Sequence, residues 1–259
     1  MNETYQEYIN RVAQLTLPSA CSSQLQTIQS SPKFTEGKAN YFPGYSIVTP
    51  PYQEDTSNQE FYSQIELLQI NIVQQLRPQL VVPLEAQSFH FTIADLVWGG
   101  SYQQIVKDNP QFETQLQASI QNSFTRYQEC CEEKNPIQWQ LLGIAIRPRA
   151  IMACLVPKDQ TSYQAILNLR RCVYQNSDLM RLGIEQQYDF TAHITLAYFD
   201  EISAGLNRSE VCVIISQIGD RLLERDPVIL TVKEAELRKF ENMLDYHRQP
   251  DWAKLSLGN

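Results

Sequence analysis

Two short stretches of this chain share one pattern of side chains that can do acid–base chemistry. They are Ser88-Phe89-His90-Phe91-Thr92-Ile93-Ala94 and Thr191-Ala192-His193-Ile194-Thr195-Leu196-Ala197. In each, a hydroxyl residue, a His and a Thr alternate with apolar residues. On a β-strand, such alternation puts the His and the hydroxyls on one face and the apolar side chains on the core face. A His beside a hydroxyl, presented twice, predicts a two-histidine site for an anionic group.

Two alternative roles stay open for these residues. A single His in a strand is commonly a hydrogen-bonded structural residue, and Thr is a frequent strand residue. A metal site built from His90, His193 and His247 is the second alternative, although neither His stretch shows a carboxylate or Cys at ligand spacing. The repetition of the whole pattern favours the two-histidine site, and we expect no metal and no cofactor.

The composition is that of a globular protein. The chain has 259 residues, of which 43% are hydrophobic and 19% charged, enough for one large domain or two small lobes. Residues 1–7 lack the basic and apolar regions of a signal peptide, and no run of eighteen apolar residues occurs. These features predict a soluble, cytoplasmic protein without a membrane segment.

The six cysteines lack CxxC spacing, so we expect free and mostly buried thiols rather than a disulfide framework. The vicinal pair Cys130 and Cys131, at the end of a predicted helix, is expected to be a half-buried pair without a redox role.

The net charge of -8 argues against a partner that is a long nucleic acid, because such partners are usually held by a basic face. A short piece of RNA or a single nucleotide end remains compatible with it. One positive pocket could still form from the basic residues Arg147, Arg149, Lys158, Arg170, Arg171, Arg238 and Lys239. Aromatic residues that could stack on a base are Phe42, Tyr45, Tyr188, Tyr198 and Tyr246.

The elements that must position the two motifs follow from the periodicity. Residues 5–15 predict an amphipathic helix that Pro18 closes, and residues 19–40 predict an extended arm or loop. Further helices are predicted after a capping box of Ser57 and Glu60, after Asn109 with Pro110, over 161–180, and after Asn207 with Glu210. Predicted strands cover 41–48, 86–97, 137–146, 150–156, 189–199, 227–240, 244–246 and 255–257, with a break at 98–100.

This order predicts an α+β protein with a mixed or antiparallel sheet, because the strict alternation of a doubly wound fold is missing. His90 and His193 lie 103 positions apart, about the length of one repeated unit. An internal duplication would place one His of each half across a shared cleft. We expect two lobes within residues 41–259, with helices on the outer faces, and a separate helix and arm within residues 1–40.

The motifs His90-Phe91-Thr92-Ile93 and His193-Ile194-Thr195-Leu196 resemble the paired H-x-T/S-x motifs of the two-histidine phosphoesterase superfamily. That superfamily includes LigT-like 2'-5' RNA ligases and 2',3'-cyclic phosphodiesterases. The resemblance covers about residues 41–258 and leaves the first forty residues outside. It implies a bilobal sheet protein whose two motifs line a central cleft that holds no metal.

The resemblance implies a phosphodiesterase that acts on a 2',3'-cyclic phosphate of a nucleotide or RNA end. Hydrolysis needs a base for the water proton and an acid for the departing oxygen, which His90 and His193 can supply. Thr92 and Thr195 can donate hydrogen bonds to the phosphate oxygens. The alternatives are a non-catalytic binder of nucleotides or RNA ends and a 2'-5' RNA ligase. The sequence leaves open which His is the base, and it leaves open the oligomeric state.

Overall fold

The structure is a computed structural model that describes residues 3–131 and 135–258. Its helices are α1 (Tyr5–Leu15), α2 (Pro18–Gln26), α3 (Gln59–Gln75), α4 (Gly99–Asp108), α5 (Phe112–Cys130), α6 (Gln160–Tyr174), α7 (Ser177–Arg181) and α8 (Arg208–Leu223). Its strands are β1 (Phe34–Thr35), β2 (Lys38–Ala39), β3 (Gly44–Val48), β4 (Val81–Pro83), β5 (Thr92–Trp98), β6 (Ile137–Arg147), β7 (Ala150–Pro157), β8 (His193–Phe199), β9 (Ile229–Val232), β10 (Glu234–Asn242), β11 (Asp245–His247) and β12 (Lys254–Ser256).

The strands form two five-stranded antiparallel sheets and the small β1–β2 hairpin. The first sheet has the order β11-β10-β3-β5, with β12 also paired to β10, and the second has the order β4-β8-β7-β6-β9. The first motif leads into β5 and the second into β8, so each sheet carries one motif. The predicted α+β fold with two lobes and antiparallel sheets is confirmed.

The helices cover the sheets on several sides. Helix α4 packs on β5 and α5 beside β12, while α2 and α8 pack on β6. Helix α6 contacts β5 of the first sheet and also β6 and β7 of the second. It therefore ties the two sheets together behind the motifs.

The apolar residues of both motifs form the core, as the alternation predicts. Phe89, Phe91 and Ile93 of the first motif are buried, as are their counterparts Ala192, Ile194 and Leu196 in the second. The ring centroids of Phe91 and Trp139 are 5.4 Å apart. Burial of this face fixes the opposite orientation of His90 and His193, because successive strand side chains point to opposite faces.

The amino-terminal segment differs in part from its prediction. Helix α1 is confirmed, but the extended arm predicted for residues 19–40 is wrong, since α2 and the β1–β2 hairpin lie within it. Pro18 is the first residue of α2 rather than the end of α1, a position where the missing N–H costs nothing. The division of the chain at residue 40 stays a prediction.

Several other boundaries also differ. Helix α3 begins after Asn58 without a side-chain cap, because the Ser57 hydroxyl donates to Asp55 instead of capping. The predicted break at 98–100 is the start of α4, where Gly99 has a φ of 58°. Helix α5 begins at Phe112, later than Asn109 and Pro110 predict.

The carboxyl-terminal half shows two further differences. The helix predicted over 161–180 is two helices, α6 and α7, and Asn176 caps the second. The strand predicted over 227–240 is also divided: β9 belongs to the second sheet and β10 to the first. The hairpin of β6 and β7 and the capping of α8 by Asn207 are confirmed.

The cysteines within the described part of the chain are free. Cys21, Cys154, Cys172 and Cys212 are buried, Cys131 is half-buried and Cys130 is exposed. No helix in residues 3–131 and 135–258 is long and apolar enough to cross a bilayer.

Candidate active site

The two motifs meet at one small cavity. Its volume is about 130 Å³, and His90, Thr92, His193 and Thr195 all line it. The other lining residues are Lys33, Leu84, Ser88, Phe89, Asp95, Tyr188, Tyr198, Met243 and Tyr246. The structure therefore brings together all four residues that the sequence singles out.

Both imidazoles are held in the same way. His90 Nδ1 lies 2.7 Å from the carbonyl oxygen of Ser88, and His193 Nδ1 lies 2.7 Å from that of Thr191. A carbonyl only accepts hydrogen bonds, so each Nδ1 carries a proton and each neutral ring has its lone pair on Nε2. No protein group within the described ranges is hydrogen-bonded to either Nε2. Two Nε2 atoms are thus available for proton transfer.

Burial favours the neutral form of both rings. It lowers the pKa of His90 to about 4, and the nearby charges of Arg238 and His193 lower it further, against the hydrogen bond to Ser88. Burial also lowers the pKa of His193, while the Thr191 carbonyl and the Asp95 carboxylate oppose that shift. The Asp95 carboxylate opposes the lowering of the pKa at both rings, but the cations differ: Arg147 and Lys33 act on His193, and Arg238 acts on His90.

Helix α1 positions the second motif. The Tyr8 hydroxyl accepts a hydrogen bond from the amide of Ala192 at 2.9 Å and donates to the Leu155 carbonyl at 3.1 Å. Arg11 donates to the Thr191 hydroxyl at 3.0 Å and to the Phe190 carbonyl. Because the Thr191 carbonyl holds the imidazole of His193, α1 fixes the place of that ring.

The first motif is fixed by other contacts. The amide of Phe91 donates to the Thr49 hydroxyl at 3.0 Å, and the Thr49 amide donates to the Phe91 carbonyl at 3.0 Å. The Ser88 hydroxyl donates to the Glu85 carbonyl at 2.7 Å and stabilises the tight turn that precedes His90. The buried guanidinium of Arg170 donates to the Ile93 carbonyl. These contacts hold His90 even though it precedes the first residue of β5.

Lys33 is a site residue that the sequence did not indicate. Its Nζ donates to the Tyr198 hydroxyl at 3.1 Å and lies over the rings of Phe42 and Tyr198. Its segment is held to the end of β8 by a 2.8 Å hydrogen bond from the Ser31 amide to the Phe199 carbonyl. A lysine in a polar segment 57 positions before the first His offers no local signal of this placement.

Asp95 is the second residue that the sequence missed. Strict alternation would turn its side chain away from the face of His90 and Thr92. Two irregularities in the pairing of β3 with β5, between Tyr45 and Ser46 and between Ile47 and Val48, change the register so that Asp95 lines the cavity with Thr92. A β-bulge has no reliable sequence pattern, so the sequence alone did not predict that the Asp95 side chain lines the cavity.

Three of the five predicted aromatic residues lie at the cavity. Tyr188, Tyr198 and Tyr246 line it, and the Tyr246 ring centroid is 4.3 Å from that of His90. Tyr45 is fully buried beside Tyr102, away from the cavity, and Phe42 contacts Lys33. Tyr188 is 54% exposed and its hydroxyl donates to the Asp95 carboxylate, which places the ring at the mouth of the cavity.

The seven basic residues that the sequence offered for a positive pocket, all of which the structure describes, lie outside this cavity. Arg238 is paired with Glu54 and Glu236, and Lys239 with Glu113. His247, on β11, also lies outside the cavity, and the described residues hold no cluster of three metal-ligating side chains.

Comparisons with known proteins show the fold. No protein-family model and no curated protein matches the sequence. The structure is similar to a conserved protein of unknown function, ATU0111 from Agrobacterium tumefaciens str. C58, with a TM-score of 0.56 and 13% identity over 85% of this chain and 90% of that chain. A solved phosphoesterase has a TM-score of 0.47 and 15% identity over 83% of this chain and 98% of that chain.

A structure of LigT from E. coli complexed with NADP+ has a TM-score of 0.44 and 14% identity over 85% of this chain and 100% of that chain. The likeness to the Agrobacterium protein, at a TM-score of 0.56 and 13% identity, shows a shared fold.

Proposed function

We propose that this protein is a metal-independent phosphodiesterase that hydrolyses a 2',3'-cyclic phosphate, or a related phosphodiester, on a nucleotide or RNA end. One observation carries the proposal: His90 and His193 face one cavity, and an identical Nδ1 contact leaves Nε2 of each ring available. A histidine with a purely structural role would not need a second histidine facing the same cavity. The resemblance of the two motifs to those of the two-histidine phosphoesterases supports the same reaction.

His90 is the base and His193 is the acid in this proposal. Burial lowers the pKa of His90 to about 4, which keeps its Nε2 unprotonated, and we assign the single proton to His193, whose pKa is lowered by burial and raised by the Thr191 carbonyl and the Asp95 carboxylate. His90 Nε2 takes a proton from water as the water oxygen bonds to phosphorus. The bond from phosphorus to one ribose oxygen breaks, and His193 Nε2–H protonates that oxygen. The product is a phosphomonoester, and solvent exchange restores the starting proton on each ring.

Thr92, Thr195 and Lys33 hold the phosphate oxygens. Neither Thr hydroxyl is hydrogen-bonded to another group of the described chain, so both can donate to a ligand. The ammonium of Lys33 adds the positive charge that a phosphate requires. Donors fixed in place before the reaction stabilise the charge that develops on the oxygens in the transition state.

The size of the cavity limits the substrate. A volume of about 130 Å³ is well below the roughly 300–1,000 Å³ of sites that enclose drug-sized ligands. It accommodates a phosphate and part of a ribose, and the base must lie outside, towards the exposed Tyr188. Together with the net charge of -8, this favours a short RNA end or a single nucleotide over a long nucleic acid.

The proposal is tested with the four nucleoside 2',3'-cyclic monophosphates and protein treated with EDTA. We expect turnover of at least one of them to a single monophosphate isomer, identified by chromatography. Activity that disappears with EDTA and returns with Zn²⁺ or Mn²⁺ would contradict the two-histidine mechanism. Tight binding without turnover between about pH 5 and 9 would identify a binding module, and formation of a 2'-5' linkage from RNA fragments would identify a ligase.

A further inference from the structure

The Asp95 carboxylate is an unpaired anion in the wall of a cavity that is built for a phosphate. One of its oxygens accepts from the Tyr188 hydroxyl, and the other lies 3.4 Å from the Ser46 hydroxyl. Both partners are neutral. The nearby Arg170 does not form an ion pair with it among the described residues: its guanidinium donates to the Ile93 carbonyl and lies 4.2 Å from the Phe190 ring centroid.

The charges that line the cavity can be counted. Lys33 is the cation and Asp95 the anion, and the remaining titratable groups are the two histidines and three tyrosines. With one proton shared by the histidine pair, as the proposed mechanism requires, the lining carries a single net positive charge. With both rings neutral, the lining carries none.

This charge suits a diester better than a monoester. A phosphodiester carries one negative charge, whereas a phosphomonoester is mostly a dianion above its second pKa of about 6. The substrate and the product of the proposed reaction therefore differ by nearly one charge near neutral pH. In the singly protonated state that the mechanism requires, the lining charge balances the substrate and leaves about one negative charge of the product uncompensated.

We propose that Asp95 is a specificity residue that selects monoanionic phosphodiesters against dianionic phosphomonoesters and so promotes release of the product. This inference rests on the proposed function and adds to it the charge class of the ligand. Coulomb repulsion is proportional to the charge of the ligand. If removal of the Asp95 charge tightens binding of a monoanion by a given factor, it should tighten binding of a dianion by about the square of that factor.

The test compares two ligands at pH 7.5 by titration calorimetry. The ligands are adenosine 2',3'-cyclic monophosphate and adenosine 3'-monophosphate, and both are titrated into His90→Ala protein, which consumes the diester roughly 10² to 10⁴ times more slowly than wild type. Adding Asp95→Asn should tighten binding of the monoester by roughly tenfold and binding of the diester by roughly threefold. The monoester carries twice the charge, so its change in affinity is about the square of the change for the diester. Raising the salt concentration should reduce both changes.

Two further variants complete the design. Tyr188→Phe in the same background removes the hydrogen bond to Asp95 but keeps the carboxylate charge, so the ratio of the two affinities should not change. If Asp95→Asn does not melt cooperatively, Asp95→Ser replaces it.

The outcomes separate the two proposals. Equal effects on both ligands, or none, would overturn the role of Asp95 while leaving the phosphodiesterase intact. Failure of both nucleotides to bind the wild-type as well as the His90→Ala protein would overturn the proposed function, and the role of Asp95 with it.

Discussion

The two site histidines have the same ring contacts but different neighbours, and single substitutions can separate their roles. His90→Ala or His193→Ala should each lower turnover of a cyclic phosphate by roughly 10² to 10⁴, the range for loss of a general acid or base. The double variant should fall short of the product of the two factors, because both residues serve one step. Steady-state kinetics on the three variants check this.

His247→Ala is the matched control for these variants. His247 lies on β11, is half-exposed and does not line the cavity, so its loss should leave turnover unchanged. Melting curves must show that all variants remain folded. Wild-type turnover in either site variant would remove that His from the mechanism.

The lowered pKa values of both histidines set the expected pH dependence. The active state has one proton on the pair: it is lost when the base is protonated at low pH and when the acid is deprotonated at high pH. Burial lowers both pKa values, to about 4 for His90, so both limbs shift to lower pH. The plot of kcat/KM against pH, which reports on the free protein, should be bell-shaped with its optimum below about pH 6.5, the ordinary pKa of His.

The profile of kcat should lie at higher pH, because a bound phosphate anion stabilises the protonated rings and raises both pKa values. Thr92→Val and Thr195→Val should lower the rate and keep the bell, since a hydroxyl donor does not titrate in this range. A kcat/KM optimum above about pH 7.5 would contradict the assignment of two half-buried, neutral rings.

At the scale of secondary-structure elements, the alternation of the motifs was sufficient to predict the core face and to bring His90, Thr92, His193 and Thr195 to one cavity. The side chains at His90 and His193 are forced outward because Phe91 and Ile194 are buried. Lys33 and Asp95 were not predictable in this way. The first reaches the site through tertiary contacts of a polar segment, and the second through irregular pairing of β3 with β5, and neither leaves a periodic pattern.

Lys33, in the segment between α2 and β3, lines the cavity, and its proposed role in holding the phosphate can be measured. Lys33→Met keeps much of the apolar stem over Phe42 and Tyr198 but removes the ammonium. We expect kcat/KM to fall by about tenfold or more, since a hydrogen bond to a charged group contributes about 1.5–3 kcal/mol. The exposed Lys38 on β2 offers the control Lys38→Met, which should behave as wild type. Equal kinetics for the two variants would place Lys33 outside the site.

Strand β3 requires a glycine at its first position. A Cβ on Gly44 would lie within 3 Å of the Val97 carbonyl, the Phe240 ring and the backbone of Trp98. Because two of these neighbours are backbone, Gly44→Ala should lower the free energy of unfolding by about 1–3 kcal/mol, as overpacking does.

Gly100, in the first turn of α4, is the matched control because its Cβ would meet no atom within 4 Å. Gly100→Ala should leave stability unchanged or raise it by up to about 1 kcal/mol, through helix propensity. Urea denaturation measures both variants. A Gly44→Ala protein as stable as Gly100→Ala would show that β3 and β5 can move apart without cost.

At the scale of the whole molecule, the sequence order predicted two lobes but not how they exchange elements. The motifs lie in separate halves of the chain, yet β4 of the first half pairs with β8 of the second sheet. In return, β10 and β12 of the second half complete the first sheet. Sequence periodicity indicates where strands occur but not which strands pair. For this reason the single strand predicted over 227–240 did not reveal that the chain leaves the second sheet after β9 and enters the first sheet with β10.

This exchange predicts that the halves do not fold independently. A fragment of residues 1–131 contains β3, β4 and β5 but lacks β8 and β10, so both sheets are incomplete. It should show no cooperative urea transition by circular dichroism. Mixing it with a fragment of residues 135–259 should restore one. A cooperative transition in the first fragment alone would show that its sheet is stable without β10.

The same pairing has a consequence for protein synthesis in the cell. Ile47 of β3 pairs with Leu237 of β10, about 190 positions later, so the central strand of the first sheet emerges from the ribosome long before its neighbour exists. At about 5–20 residues per second, that interval is roughly 10 to 40 seconds. Throughout it, β3 exposes an unpaired, apolar edge of the kind that promotes aggregation. The nascent chain should therefore depend on chaperones that shield such edges until translation is nearly complete.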